Sequence, residues 1–161
     1  MKILVLYHSR SGNTRKLADA FVQGVFTVDG AEPLLKSTTE VTEEDFLASE
    51  AVIAGSPVYF GTMAAELKKV FDDFISTRRK MEGKPGAAFA TSADASGGKE
   101  TTIISIIQAM LIYGMIIVGD PMDATGHYGT SCAGAPDEKT LENARRHGKH
   151  VAEITRKLRG Q

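Results

Sequence analysis

The chain has 161 residues, of which 42% are hydrophobic and 24% are charged, and its formal net charge is -1. One α/β domain over residues 1–161 with a full core is therefore expected, and neither nucleic acid nor an acidic lipid surface is an expected partner. No stretch approaches the roughly 20 apolar residues of a membrane span, and a lone cysteine, Cys132, excludes an internal disulfide. Because no basic and apolar leader precedes the first strand, a cytoplasmic protein is expected.

The N-terminal segment is predicted to form a strand, a polar loop and a helix. Four apolar residues, 3–6, indicate a buried strand, and apolar residues at helical spacing indicate a helix from about 14 to 25. Free N–H groups at a helix N-terminus and short hydroxyl groups bind phosphate, and Gly12 permits a positive φ between them. We therefore expect the phosphate of a mononucleotide in this loop, which His8 is expected to support.

Residue types exclude the other common phosphate loops. The chain has no Gly-Lys-Ser/Thr triplet of a Walker loop and no Gly-x-Gly-x-x-Gly fingerprint of a dinucleotide site. A cysteine phosphatase would need a thiol in the loop. A phosphoacceptor signalling domain would need acidic residues where Tyr7-His8 and Ser56-Pro57 stand. An ordinary polar turn between strand and helix remains the alternative.

The middle of the chain is predicted to bring a second polar loop to the same edge. A weak edge strand at 31–36, a short helix from about 43 and a buried strand at 51–55 lead into the loop 56–62. Tyr59 and Phe60 lie in this loop, where aromatic side chains can stack on a planar ring. The alternative is that one of them packs into the core.

A helix from about 64, a strand of small residues at 85–90 and a third polar loop at 91–98 follow. The next helix, about 99–113, is so apolar that it is either deeply buried or part of an interface in a homo-oligomer. Its predicted inner stripe comprises Ile103, Ile106, Ile107, Met110 and Leu111.

The last part of the chain is predicted to form a strand at 115–118, an aperiodic loop at 120–136 and a long helix. A loop of this length in a compact domain is usually functional. Pro136 is expected at the first position of the helix, and Gly148 in its middle predicts close packing against a neighbour. His147 and His150 are expected on its solvated face, and Cys132 is expected to have no catalytic role.

The element order βαβαβαβαβα predicts a three-layer sandwich in which five parallel strands lie between two layers of helices. The polar loops after the first, third and fourth strands then meet at the carboxyl edge of the sheet, where ligands of such folds bind.

These motifs resemble two related families. The stretch Val5-Leu6-Tyr7-x-Ser9-x-x-Gly12-x-Thr14, with Ala18 and Val22, is similar to the N-terminal signature of the flavodoxin family. The stretches Gly55-Ser56-Pro57-x-Tyr59-Phe60-Gly61-x-Met63, Gly97-Gly98-x-Glu100-Thr101 and Tyr113-Gly114-Met115 resemble the WrbA-type NAD(P)H:quinone oxidoreductases, which are tetrameric. The resemblance implies a flavodoxin-like fold with strand order 2-1-3-4-5 and FMN as the cofactor.

The matching positions also imply where FMN binds. The implied contacts are Ser9, Arg10, Ser11, Gly12, Asn13 and Thr14 in the first loop, Pro57, Val58, Tyr59, Phe60 and Gly61 in the second, and Thr91, Ser92, Ala93 and Gly97 in the third. The flavin does the chemistry, so neither a catalytic side chain nor a metal is implied. Tyr113 stands where the WrbA-type pattern has a histidine near the flavin, and His127 and Tyr128 are candidates to reach it.

The implied function is electron transfer between redox partner proteins through the flavin. A WrbA-type enzyme that passes electrons from NAD(P)H to a quinone is the alternative, and a non-enzymatic partner-binding domain of the same fold is a remote one. The connection between the second and third strands is shorter than in the WrbA-type proteins, and their Trp-containing segment is missing. Both departures weigh against the reductase, whereas a net charge of -1 differs from the strongly acidic typical flavodoxin.

Overall fold

The computed structural model describes residues 1–160, which form one sheet with helices on both of its faces. The strands are β1 (Lys2–Tyr7), β2 (Glu32–Ser37), β3 (Ala51–Tyr59), β4 (Thr62–Met63), β5 (Pro85–Ser92), β6 (Ile116–Ile117) and β7 (Thr130–Ala133). The α-helices are α1 (Asn13–Phe26), α2 (Glu43–Ala48), α3 (Ala65–Asp73), α4 (Lys99–Ile112) and α5 (Glu138–Arg159), and a 3-10 helix spans Ile75–Lys80. Within residues 1–160, no helix is both long and apolar enough to cross a lipid bilayer.

The main path of the sheet runs β2-β1-β3-β5-β6, and every pairing along it is parallel. The two-residue strand β4 is an antiparallel extension of β3 and lies off this path. The predicted order 2-1-3-4-5 of five parallel strands is therefore confirmed. The carboxyl ends of β1, β3 and β5, each followed by a polar loop, lie side by side.

The fifth position of the sheet is divided between two short strands. β6 pairs with Pro85 and Gly86 at the beginning of β5, whereas β7 pairs with the residues from Phe89 to Ser92 at its end. The prediction that 120–136 is a loop throughout is therefore wrong, because four of its residues form β7. Their sequence, Thr-Ser-Cys-Ala, has no run of large apolar residues, and the strand forms because β6 leaves the far half of β5 unpaired.

On one face of the sheet, α1 and α5 pack against each other and against the central strands. Phe21 of α1 stacks on Phe89 of β5 with ring centroids 4.7 Å apart. A Cβ at Gly148 of α5 would lie 2.5 Å from the carbonyl oxygen of Phe21, and a Cβ at Gly24 of α1 would overlap the carbonyl group of Arg145. The close packing predicted from Gly148 is confirmed.

His147 lies in the same layer and is fully buried, so the prediction that it faces solvent is wrong. Its Nε2 lies 3.3 Å from the carbonyl oxygen of Val118 and its Nδ1 lies 3.4 Å from the hydroxyl oxygen of Thr130. Burial lowers the pKa of His147 to about 4, because the imidazolium would have to leave water. The neutral ring thus links α5 to the ends of β6 and β7.

On the other face, α2, α3 and α4 enclose a cluster of aromatic rings that includes Phe46, Phe71 and Tyr113. The core-facing stripe of α4 is narrower than predicted, since Ile107 is only half-buried and Leu111 is 57% exposed. At the last helix, Asp137 is the N-cap and its Oδ1 accepts from the Thr140 N–H at 2.8 Å. Pro136 therefore precedes the cap and does not occupy the first helical position.

Candidate functional site

The loop between β1 and α1 presents unbonded backbone donors at the beginning of a helix. Gly12 is the N-cap of α1, with φ at 92°, and no side chain caps the helix. The Ser9 Oγ accepts from the N–H groups of Gly12 at 3.1 Å and Arg15 at 3.3 Å, which closes the loop. The N–H groups of Ser11, Asn13 and Thr14 bond to no acceptor within the described chain. Since the first turn of α1 also has no acidic residue, this end of the helix favours an anion.

A buried contact between hydroxyl groups joins this loop to the third one. The Oγ1 atoms of Thr14 and Thr91 lie 2.8 Å apart, and both residues are buried. The contact fixes the first turn of α1 against the end of β5. The Arg15 guanidinium donates to the Tyr7 hydroxyl at 2.8 Å, which holds the same turn from the other side.

The second loop is a tight hairpin between β3 and β4. Its two central residues, Phe60 and Gly61, have φ of 51° and 78°, the arrangement of a type I′ turn. Phe60 is the only non-glycine residue with a positive φ among residues 1–160, and its side chain is fully exposed. For a bulky side chain this conformation is strained, and strain of this kind is common at functional sites.

Hydrogen bonds fix the hairpin to its surroundings. The Ser56 hydroxyl accepts from the Ala64 N–H at 2.8 Å, across the base of the hairpin. The Thr101 hydroxyl at the beginning of α4 donates to the Gly61 carbonyl oxygen at 2.6 Å. A Cβ at Gly98 would lie only 3.2 Å from the Gly61 Cα, so the third loop and the hairpin touch through glycines.

The three loops enclose a cleft of about 490 Å³. It is lined by Arg10, Ser11 and Asn13 from the first loop, Pro57, Val58 and Tyr59 from the second, and Thr91, Ser92 and Ala93 from the third. All of these residues were predicted from the sequence. Ser9, Gly12 and Thr14 shape the first loop, whereas Phe60, Gly61 and Gly97 do not line the cleft.

Phe60 instead lines a neighbouring groove of about 970 Å³ between the hairpin, α3 and α4. Tyr59 and Arg10 border both spaces. The groove has a largely apolar lining, with Glu66, Lys68 and Arg10 as its charged residues. The two aromatic residues of the second loop therefore have different surroundings, although the sequence grouped them together.

Two candidate side chains do not reach the cleft. Tyr113 is 2% exposed, and its hydroxyl donates to the Phe71 carbonyl oxygen at 2.5 Å. Burial raises the pKa of Tyr113 to about 12, as expected of a core phenol. The suggestion that it contacts a flavin is corrected, since it packs at the far end of α4. His127 and Tyr128 are exposed on the segment between β6 and β7 and line none of the cleft.

His8 has closer contacts with the site than its sequence position indicated. Its Nδ1 lies 3.1 Å from the Thr38 hydroxyl oxygen, and its Nε2 lies 3.7 Å from a carboxylate oxygen of Glu66. Its ring meets the Tyr59 ring edge-on, with centroids 6.3 Å apart. The only sequence signal was its position directly after β1.

The cleft has the donors and walls that a phosphate with a planar ring requires. Unbonded N–H groups at a helix N-terminus match a dianion, and the Tyr59 ring matches an extended aromatic system. The space beside Gly12 is open, since a Cβ there would contact nothing within 4 Å. The residues present therefore fit a flavin mononucleotide.

Comparison with known proteins agrees with this geometry. A family model described as NADPH-dependent FMN reductase matches residues 1–129. A flavodoxin of Aquifex aeolicus is 35% identical over 159 aligned positions, which cover 94% of this chain and 85% of the relative. An NAD(P)H dehydrogenase (quinone) of Archaeoglobus fulgidus is 34% identical over 189 positions, which cover 98% of each.

Among solved structures, a flavodoxin from the domain Archaea superposes with a TM-score of 0.82 at 27% identity, covering 97% of this chain and 99% of that one. The alignment with the quinone dehydrogenase is longer than the whole of this chain, so that relative carries segments that are missing here. The alignment with the flavodoxin covers 85% of that relative, so this relative too has a part that is not matched here. The chain belongs to the NADPH-dependent FMN reductase family, among its flavodoxin and WrbA-like members, and is an FMN-binding redox protein.

Proposed function

We propose that this protein is an electron carrier, which binds FMN in the cleft between the three loops and exchanges electrons with redox partner proteins. The observation that carries the proposal is that the uncapped N-terminus of α1 and the Tyr59 ring belong to one cleft of about 490 Å³. When bound, FMN supplies reversible transfer of one or two electrons, and the protein supplies binding and electrostatics.

The first loop would hold the phosphate. The N–H groups of Ser11, Asn13 and Thr14 are placed to donate to its oxygens, and the helix dipole adds a favourable potential. The bond between Thr14 and Thr91 keeps these donors in place.

The second and third loops would hold the ring system and the chain that joins it to the phosphate. Tyr59 offers an aromatic face, while Pro57 and Val58 on one side and Thr91 to Ala93 on the other complete the walls. Negative charge added to the ring system, away from the phosphate-binding loop, is disfavoured where the Tyr59 face and the cleft walls exclude water. The protein is therefore expected to lower the reduction potential of its flavin relative to the free cofactor.

An NAD(P)H:quinone oxidoreductase is the second candidate, because the quinone dehydrogenase of Archaeoglobus fulgidus is about as similar to this chain as the flavodoxin is. Two departures from the WrbA-type pattern favour the carrier: the connection between the second and third strands is shorter, and the Trp-containing segment is missing. His127 and Tyr128 would belong to that function only if a partner chain brought them to a cleft.

A visible spectrum and an anaerobic reductive titration test the proposal. The purified protein, after incubation with FMN, is expected to retain it and to take up electrons in two separate one-electron steps. Addition of NADH or NADPH is expected to leave the flavin oxidised. Rapid NAD(P)H oxidation with a quinone present would favour the enzyme, and failure to take up FMN would reject both.

We also propose that α4 mediates self-association. Residues 101–113 carry no charged side chain, and Ile104, Leu111 and Ile112 are exposed on this helix. Such a surface is typical of an interface. Sedimentation is expected to show a dimer or larger assembly that Leu111→Glu dissociates, whereas the control Leu158→Glu on α5 has no effect. A wild-type monomer would refute this proposal.

A further inference from the structure

His8 contacts three other segments at the ligand edge of the sheet. Directly after β1, it bonds to Thr38 beyond β2, approaches Glu66 at the beginning of α3, and packs its ring against the edge of Tyr59 at the end of β3. Its side chain is 17% exposed. It is thus nearly enclosed and still open to protons from water.

We propose that His8 is a positioning residue that couples protonation to the flavin site: its protonated form strengthens FMN binding and raises the reduction potential of bound FMN. The inference rests on the proposed binding of FMN beside Tyr59.

The contact with Glu66 distinguishes the two protonation states. The Nδ1 of either form can share a hydrogen bond with the Thr38 hydroxyl, because that hydroxyl both donates and accepts. Only the protonated ring carries a positive charge, and its Nε2 then lies 3.7 Å from a carboxylate oxygen of Glu66. The protonated ring therefore adds an ion pair with Glu66 to the hydrogen bond with Thr38.

The groups that face His8 are few and of known charge. Glu66 of α3 is the acidic group, Tyr59 of β3 is neutral, and the contact from beyond β2 is the uncharged Thr38 hydroxyl. Arg10, of the same loop as His8, borders the groove together with Glu66. The bound cofactor would add its phosphate charge to this set.

The sign of the effect follows from charge. FMN binds as an anion, so a nearby imidazolium favours the bound state. Reduction adds electrons from an external donor, so the same positive charge also favours the reduced form of the bound cofactor. At the effective dielectric constant near a protein surface, two unit charges that are not in direct contact still interact strongly enough for a change of about threefold in affinity.

The test compares wild type with His8→Gln, which keeps a hydrogen-bonding side chain but cannot carry the charge. The dissociation constant of FMN is measured by fluorescence quenching between about pH 5.5 and pH 8, the interval in which histidines titrate. The control is His127→Gln, at an exposed position outside the cleft. Titration of the FMN phosphate itself is common to all variants and cancels in the comparison.

We expect the wild type to gain about threefold more affinity on acidification than His8→Gln does, and its midpoint potential to fall more steeply with pH. Glu66→Gln should weaken the pH dependence of both the FMN affinity and the midpoint potential, because the protonated His8 ring then has no carboxylate beside it. His8→Lys should bind FMN at high pH about as tightly as the wild type does at low pH.

Two outcomes overturn the inference. If wild type and His8→Gln bind FMN with the same pH profile, His8 is structural only and the proposed function stands. If His8→Gln fails to fold, Glu66→Gln and His8→Lys decide the question by the same profile. If the wild type takes up no FMN, the proposed function and this inference fail together.

Discussion

Replacement of Phe60 by asparagine is expected to stabilise the FMN-free protein. Phe60 occupies the first central position of the β3–β4 turn at φ 51°, a conformation that costs a bulky residue roughly 1–2 kcal/mol. Asparagine tolerates this conformation, and Asn-Gly is the preferred pair for a type I′ turn. Because the Phe60 side chain is fully exposed, its removal uncovers no core surface. The free energy of unfolding of Phe60→Asn should therefore rise by about 1 kcal/mol.

Urea denaturation of the FMN-free protein measures this change, and the melting temperature should rise by about 2–4 °C. Phe26→Asn is the matched control, since Phe26 is also exposed, at 75%, but has no positive φ. If Phe60→Asn is no more stable than the wild type, the turn is not strained and the reasoning is refuted. The FMN affinity of the same variant should fall about fivefold if Phe60 turns onto the flavin, as its sequence position predicts.

Three further substitutions test the packing and the buried polar groups. Gly148→Ala should destabilise the protein by about 2 kcal/mol in urea denaturation, because the added methyl group would meet the Phe21 carbonyl oxygen, whereas Gly119→Ala meets no neighbour and should have little effect. The stability of the wild type should decrease as pH falls from about 6.5 to about 4, by up to about 3 kcal/mol, because unfolded His147 binds a proton that the buried ring does not. His147→Gln should remove this part of the pH dependence, and an unchanged slope would contradict the assignment. Lys84→Met should cost about 1–3 kcal/mol, since the Lys84 ammonium donates to two carbonyl oxygens at the end of α2, at 2.7 and 2.8 Å; equal stability would show that water replaces it.

Most of the fold could be predicted because the large strands have local signals. Branched apolar runs such as 3–6 and 51–55 mark strands that are buried on both faces, and the intervening helices have clear apolar stripes. The alternation of strands and helices then leaves few arrangements. The three polar loops could be placed at one edge from topology alone, and the resemblance to known families then implied every residue that lines the cleft.

The failures have a different cause, since they depend on contacts between distant parts of the chain. β7 has a short polar sequence and forms because of the free half of β5. His147 lies three positions after Ala144 and four before Val151, on the buried side of α5, but its charged neighbours suggested a solvated face. The positive φ of Phe60 within the predicted loop could not be foreseen, because phenylalanine is not a residue that favours positive φ.

The glycines at 24 and 148 bring the main chains of α1 and α5 into direct contact, and at these two positions no side chain lies between the helices that could give way. Helix α1 consequently has little freedom to slide along its axis. The N–H donors at its first turn are therefore in their binding positions before any ligand arrives. A phosphate group then binds to a preorganised site, and no part of the loop has to become ordered on binding. Substitutions that change the affinity for the ligand should for that reason change mainly its dissociation rate and have little effect on its association rate.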